Sequence, residues 1–274
     1  MKKIELRKVD DLNLLNLLKR QYMTQTTAPL DGMWLYGFVP LATHYSFHSE
    51  NSIVGYCCVN NNNNYLLQYY LCRELNAEAS PLLSRILTDS YSQLNDVNGA
   101  YVSTAEPGYL SSCLDNFSTF HVNALMYQLG EKPVKQLMNP DWQLAVVTKD
   151  ELAKVIDFDH RTIGAPKEWL DSYLGNLIEK QELFSCTQSG ILVGTGECRS
   201  FDGFQDEYVD LGVIVGQECR GKGLATWILQ QLVKIAEAMS LTPICSTERD
   251  NIGAQKAIRR AGLITEHRIL QFQK

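Results

Sequence analysis

The chain reads as an α/β (α+β) protein made of two tandem domains, and three observations carry that reading. Its 274 residues permit one or two domains, and 45% hydrophobic content is enough for packed cores. Strand and helix patterns in the first half recur in the second at an offset of about 140 residues. Residues 209–226 join a β-branched run to an amphipathic helix through a glycine-rich loop, the hallmark of a strand–loop–helix junction.

That junction is the most informative stretch. The run Val213 to Val215 ends in a loop carrying Gly221 and Gly223, which opens directly into the helix. Such a turn aims several unpaired backbone N–H groups, and the positive end of a helix dipole, at one spot suited to a pyrophosphate. Gly223 offers backbone without a Cβ, and Lys222 adds positive charge at the rim. The spacing matches neither a P-loop nor a dinucleotide fingerprint, because the required glycine patterns are missing. Downstream, Leu224, Ile228, Leu232, Ile235 and Met239 recur at three- and four-residue intervals and define one apolar helix face. A turn at Ser240 to Pro243, a strand from Ile244 to Thr247 and a glycine-terminated helix follow, with Asn251, Ala254, Ile258, Gly262 and Leu263 as landmarks.

The segment Arg220-Gly221-Lys222-Gly223-Leu224-Ala225, with the Asn251 to Leu263 pattern behind it, resembles GNAT-type N-acetyltransferases over residues 141 to 274. The resemblance implies a mixed central sheet flanked by helices, and acetyl-coenzyme A as cosubstrate. It assigns cofactor binding to Val213, Ile214, Val215, Arg220, Gly221, Lys222, Gly223, Leu224, Ala225, Thr226 and Asn251. Backbone around Val213 to Val215 is then expected to pair with the pantetheine amides and hold the developing oxyanion. Two positions depart from the pattern: Ile258 stands where the family most often has tyrosine, and Leu263 where it has phenylalanine. That tyrosine is thought to protonate the departing thiolate, so a water, Ser246 or Thr247 is left to supply the proton.

The repeat places Lys3 to Leu6 against Gln143 to Val146, each followed by an acidic helix start. Tyr65 to Cys72 falls opposite Gln205 to Gly212, and the helix Pro81 to Leu94 opposite the one beginning at Gly221. We therefore expect GNAT-like domains at 1–138 and 139–274, joined by a linker that includes Pro133 to Asp141. The first copy has Arg73 to Ala79 in place of the glycine loop, with Glu74 and Glu78 to repel a pyrophosphate. It is expected not to bind acetyl-coenzyme A. The run Asn60 to Asn64, between two strand patterns, reads as a hairpin loop.

Amide formation needs a neutral amine, and a carboxylate is the usual means of deprotonating it. Candidates, in order, are Glu207, Asp210 and Glu197; each has the plain alternative of being solvated or paired with Arg199 or Arg220. A net charge of −6 and a pI near 5.4 argue against nucleic acid as partner, and no apolar run approaches a membrane span. The start Met1-Lys2-Lys3-Ile4-Glu5 lacks an apolar core, so no secretion signal is expected. The eight cysteines are irregularly spaced and read as reduced thiols of a cytoplasmic protein. His44 and His48 lack a third ligand nearby, and no metal is expected. The reading is acetyl transfer from acetyl-coenzyme A to a primary amine of a small molecule, by a chain compatible with a homodimer. Its rival is a non-catalytic acyl-coenzyme A sensor. A toxin acting on aminoacyl-tRNA fits less well, since the chain is long and acidic.

Overall fold

In the computed structural model, residues 4–32, 37–88, 94, 96–131, 134–200 and 203–274 are described. The chain divides into two units: residues 1–125, 202–205 and 267–274 form the first, and 126–201 with 206–266 the second.

The first unit runs β1 (Glu5–Val9), α1 (Asn16–Met23), β2 (Thr43–Ser49), β3 (Ser52–Val59), β4 (Tyr65–Leu71), α2 (Ala79–Leu87), β5 (Gly99–Ser103) and α3 (Pro107–Asn116), and then enters β6 (Thr119–Leu129). Strands β1 to β5 are adjacent in that order, antiparallel until β4 meets β5 in parallel. The C-terminal residues Ile269 to Gln273 add an antiparallel neighbour to β5. The asparagine run is a hairpin loop: Asn64 takes φ +58°, and the Asn60 and Asn63 side chains accept from the amides of Asn62 and Tyr65. Lys3 and residues 89–93, part of the expected first strand and second helix, lie outside the described residues, as does Pro133 of the expected linker. His44 sits on a strand, buried, with Nε2 2.8 Å from the Val39 carbonyl; burial brings its pKa down to about 4.

Strands β4 and β5 pair only through Tyr65↔Gly99 and Leu66↔Ala100 and then part. Large side chains occupy the opening. Tyr109 donates to the Leu66 carbonyl at 3.2 Å, and Tyr69 to the Ala79 carbonyl at 2.6 Å. Buried Glu106 accepts from the Tyr22 hydroxyl and, at 2.5 Å, from the Ser103 amide.

The second unit repeats the plan with one helix more: β7 (Trp142–Val146), α4 (Leu152–Ile163), α5 (Lys167–Glu179), β8 (Leu183–Gln188), β9 (Ile191–Ser200), β10 (Tyr208–Val215), α6 (Leu224–Ala238), β11 (Thr242–Glu248), α7 (Ile252–Ala261) and the start of β12 (Leu263–Gln273). Its strands follow the order β7-β8-β9-β10-β11 and are antiparallel except for β10 with β11. A capping box between Thr148 and Glu151 starts the α4 region, and Gly164 at φ +74° ends it. Side chains of α4 and α5, among them Val155, Leu170, Leu174 and Leu177, form one core layer with Leu183. Helix α6 lies against the opposite face of β9, where Cβ atoms added at Gly194 or Gly196 would stand 3.0 or 2.9 Å from Ile228. Leu224, Ile228 and Leu232 are buried as the periodicity predicts, whereas Met239 is exposed beyond the helix end.

Strand β10 begins three residues later than the pattern suggested, because the Gln205 side chain is held by the amide and carbonyl of Leu30 at 2.7 and 3.2 Å. Strand β11 begins earlier, at Thr242, whose amide donates to the Glu207 carbonyl at 2.9 Å.

Candidate active site

Strands β10 and β11 pair through Tyr208↔Thr242, Val209↔Pro243 and Asp210↔Ile244, and no further. Beyond Asp210 one edge of β10 is open, while its other edge stays paired with β9 to Val215↔Gly194. Gly216 donates to the Val193 carbonyl on β9 at 3.0 Å, so strand alternation turns the backbone groups of Val213 and Val215 to the open edge. A groove of about 520 Å³ follows this edge.

At its far end the chain makes a short 3₁₀ turn, Gln217–Cys219, and enters α6 through Gly221 at φ +76° and Gly223 at φ +90°. Both are left-handed conformations that favour glycine. A Cβ at Gly221 would meet nothing within 4 Å, and one at Gly223 only Leu137 at 3.5 Å, so backbone conformation, not crowding, calls for these glycines. Helix α6 has no side-chain cap, and its first amide bond runs from Trp227 to the Gly223 carbonyl. The amides of Leu224, Ala225 and Thr226 thus precede the helical ladder and are available to an anion.

All of the sequence-predicted cofactor residues except Lys222, which is exposed, line this groove. Arg220 is exposed and donates from Nε to the Val215 carbonyl at 3.3 Å. Thr226 is buried and donates to the Ala257 carbonyl at 3.4 Å. Asn251 lines the groove and caps α7, accepting from the Ala254 amide at 3.1 Å. Sequence reasoning missed Lys256 and Arg260, one turn apart on α7, and Ile163 at the end of α4. The four-residue spacing of the two cations on an amphipathic helix was the available signal. With Arg220 they make the charged lining wholly basic, in a chain of net charge −6. Small residues, Gly253, Ala254 and Ala257, form much of the α7 wall. The open amides, the basic lining and the small wall fit a long ligand with phosphates at one end.

The three carboxylate candidates have different surroundings. Glu207 is exposed, just ahead of β10, at the end where β10 and β11 still pair. Glu197 and Asp210 are buried and share Arg199: its Nη1 lies 2.6 Å from Glu197 Oε2, and its Nη2 is paired with Asp210 Oδ2. Tyr173 of α5 donates to Glu197 Oε2 at 2.6 Å, accepts from Arg199 at 2.7 Å and stacks under Trp169 at 4.7 Å. Burial disfavours the guanidinium charge, but Asp210 and Glu197 outweigh it and hold the Arg199 pKa above its ordinary value. Glu197 also covers the start of the open edge, since a Cβ on Gly212 would stand 3.0 Å from its Oε2. Ile258, at the position of the family tyrosine, is a buried core residue.

An acetyltransferase (GNAT) domain model matches residues 11–130, and an acetyltransferase (GNAT) family model matches residues 150–263. An acetyltransferase from the GNAT family of Colwellia psychrerythraea is 45% identical, with a TM-score of 0.93 over 98% of this chain and 99% of that one. The chain belongs to the GNAT acetyltransferase family. The paired units are thus two GNAT domains, each a mixed sheet flanked by helices. The same fold recurs in a tandem GNAT protein from the clavulanic acid biosynthesis pathway, at 14% identity and a TM-score of 0.62 over 98% of both chains. It recurs too in a GCN5-related N-acetyltransferase from Sphaerobacter thermophilus, at 16% identity and a TM-score of 0.63 over 84% of this chain and 80% of that one. No protein of curated function matches the chain. GNAT membership supports acyl transfer, and the family generally uses acetyl-coenzyme A. Among the described residues no cluster of His, Cys, Asp and Glu is placed to hold a metal, and no helix is long and apolar enough to cross a membrane.

Proposed function

We propose that this GNAT protein transfers the acetyl group of acetyl-coenzyme A to a primary amine of a small molecule. The observation that carries the reading is the basic groove along the open edge of β10, closed at one end by the left-handed glycines ahead of α6. The amides of Leu224 to Thr226, with Arg220, Lys256 and Arg260, hold the phosphates; the β10 edge pairs with the pantetheine amides. The Val213 amide faces the thioester carbonyl and stabilises the oxyanion.

The acceptor reaches the site as an ammonium. Removing its proton at pH 7 costs roughly 4.6 kcal/mol for a lysine-like amine and little over 1 for an α-amine. Of Glu197, Asp210 and Glu207 we assign that role first to Glu197, which lies over Gly212 beside the open edge. Asp210 then serves to hold Arg199. The neutral amine attacks the thioester carbon, the C–S bond breaks, the thiolate leaves, and the nitrogen gives up its second proton to water. With a thiol pKa of about 8.5, leaving unprotonated at pH 7 costs roughly 2 kcal/mol, so the lack of a tyrosine at Ile258 is tolerable. Water, or the half-buried Ser246 or Thr247 of β11, supplies the proton.

In this reading residues 139–274 are the catalytic domain and 1–138 a domain without cofactor, whose strand opening is occupied by tyrosines. None of the eight cysteines, all of them described, is in a disulfide, which suits the cytoplasm. The test is calorimetry with acetyl-coenzyme A followed by thiol release across a broad amine panel. One site per chain with turnover on some amine supports the proposal. Binding with silence toward every amine favours the sensor reading, and no binding sinks both.

A further inference from the structure

The buried face of α4 carries a carboxylate that the proposed acetyl transfer does not use. Asp159 is fully buried. Its Oδ1 accepts from the Thr195 hydroxyl at 3.1 Å, and its Oδ2 has no hydrogen-bond partner among the described residues. Thr195 and Glu197 are alternate residues of β9 and so share one face, the one that α4 and α5 cover. Thr195 is the register partner of Ile214, and Glu197 that of Gly212, both on the open-edged strand. Asp159 therefore stands one step along the same strand face from the proposed base. At this strand face the hydrogen-bonded charged and titratable groups are Glu197 and Arg199 of β9, Asp210 of β10 and Tyr173 of α5, while Lys167 of α5 pairs with exposed Asp157 of α4.

The two carboxylates have opposite surroundings. Glu197 has the Arg199 guanidinium and the Tyr173 hydroxyl on one oxygen. Asp159 has no salt bridge among the described residues, and burial, then the Glu197 charge, push its pKa up to about 7 against the pull of the Thr195 hydrogen bond. A buried carboxyl with an orphan oxygen needs an explanation beyond packing.

We infer that Asp159 is a positioning residue that works through Glu197: the charge on its carboxyl sets how strongly Glu197 draws a proton from the acceptor. When Asp159 is neutral, it adds no charge beside Glu197, which keeps Arg199 as its ion-pair partner. When Asp159 loses its proton to solvent, its negative charge raises the proton affinity of Glu197. The ammonium then gives its first proton to Glu197, which passes it to solvent, and as acetyl moves from sulfur to nitrogen the nitrogen's second proton goes to the departing thiolate or to water. The inference rests on the proposed acetyl transfer for its catalytic consequence, but not for the coupling itself.

The experiment is a carboxyl-carbon NMR titration of the full chain labelled at aspartate, compared with D159N and E197Q. D159N is isosteric and keeps the acceptor for Thr195; E197Q leaves Asp210 on Arg199. A carboxyl titrating near pH 7, absent in D159N and shifted to lower pH in E197Q, is the expected result. In parallel, the ratio of native to D159N kcat/KM should climb about threefold or more from pH 5.5 to 8.5, with acetyl-coenzyme A affinity unchanged. Taking the ratio cancels the ionisation of the amine itself. A carboxyl that ignores E197Q, or a ratio flat with pH, overturns the inference. Silence toward every amine counts against acetyl transfer alone, because the carbon shift still establishes the pair.

Discussion

Replacing Gly223 separates the two things the loop is held to do. The residue has φ +90° and ψ 0°, and a Cβ there would meet only Leu137 at 3.5 Å, an ordinary contact. Any side chain thus costs conformational strain but no clash, about 1–2 kcal/mol for an L-residue in left-handed backbone. At roughly 2–4 °C per kcal/mol for a chain of this size, Gly223→Asn and Gly223→Asp should both melt about 2–8 °C below the native protein. Their effects on ligand should diverge. Asn adds bulk but no charge and tolerates the conformation, so acetyl-coenzyme A binding should weaken by no more than about tenfold. Asp places a carboxylate among the amides proposed to hold the pyrophosphate. One unit charge opposed to another at about 5 Å, in an effective dielectric of about 20, costs roughly 3 kcal/mol. That is an additional loss of about two-hundredfold, shrinking as salt is raised. Calorimetric titration at two ionic strengths measures it, with melting curves confirming comparable folding. Asp binding as tightly as Asn would refute the placement of phosphate at this helix start, and equal, salt-independent losses would mean that shape alone matters.

Other outcomes follow from the same geometry. Lys256→Gln and Arg260→Gln are solvent-exposed changes, so each should weaken acetyl-coenzyme A by about two- to fivefold in calorimetry at low salt and by less at high salt. Arg199→Met leaves Glu197 and Asp210 buried without their cation, and urea unfolding at pH 8 should show a loss of about 3–5 kcal/mol. Glu106 is pushed up to about 7 by burial, although Tyr22 and Ser103 hydrogen-bond its anion. The folded state then holds that proton more tightly than the unfolded chain, and its stabilisation is complete below about pH 4.5 and is lost as pH rises through 7. Glu106→Gln, which cannot ionise, should therefore gain on the native protein by about 3 kcal/mol between pH 4 and 8 in urea midpoints; a constant difference would contradict the burial argument.

The features that could be read from the sequence are those a short stretch of chain determines. Glycines at 221 and 223 behind a β-branched run announce a left-handed entry into a helix, because few other residues take that backbone. Asn251 and Gly262 bracket α7 for equally local reasons, one as a cap acceptor and the other at φ +104°. The carboxylates were ambiguous because their meaning lies in cross-strand register. Arg199 stands opposite Asp210, and two residues from Glu197 on the same face, only when β9 and β10 are aligned as they are. Gln205 looked like part of a strand, yet a contact with Leu30, 175 residues away in sequence, takes it out. Asp159 carried no local signal: it lies on a helix among other charged residues, and only the packing of α4 on Thr195 sets it apart.

The two units show how little of the function belongs to the fold itself. Each has a parallel strand pair that parts after two or three residues, at Leu66↔Ala100 in one and Asp210↔Ile244 in the other. Parting strands leave backbone donors and acceptors that must be satisfied. In the first unit the chain satisfies them itself: Tyr109 reaches the Leu66 carbonyl, and Tyr22, Tyr69 and Glu106 take up further space. In the second, the helix across the opening presents Gly253, Ala254 and Ala257, too small to reach the strand, and the groove stays open. The loops match this difference. Arg73 to Glu78 forms a 3₁₀ turn without glycine and with Glu74 in its first turn, whereas Gly221 and Gly223 expose amides beside Arg220. Side-chain size on one helix and glycine in one loop thus decide whether a shared opening is filled by protein or left as a groove.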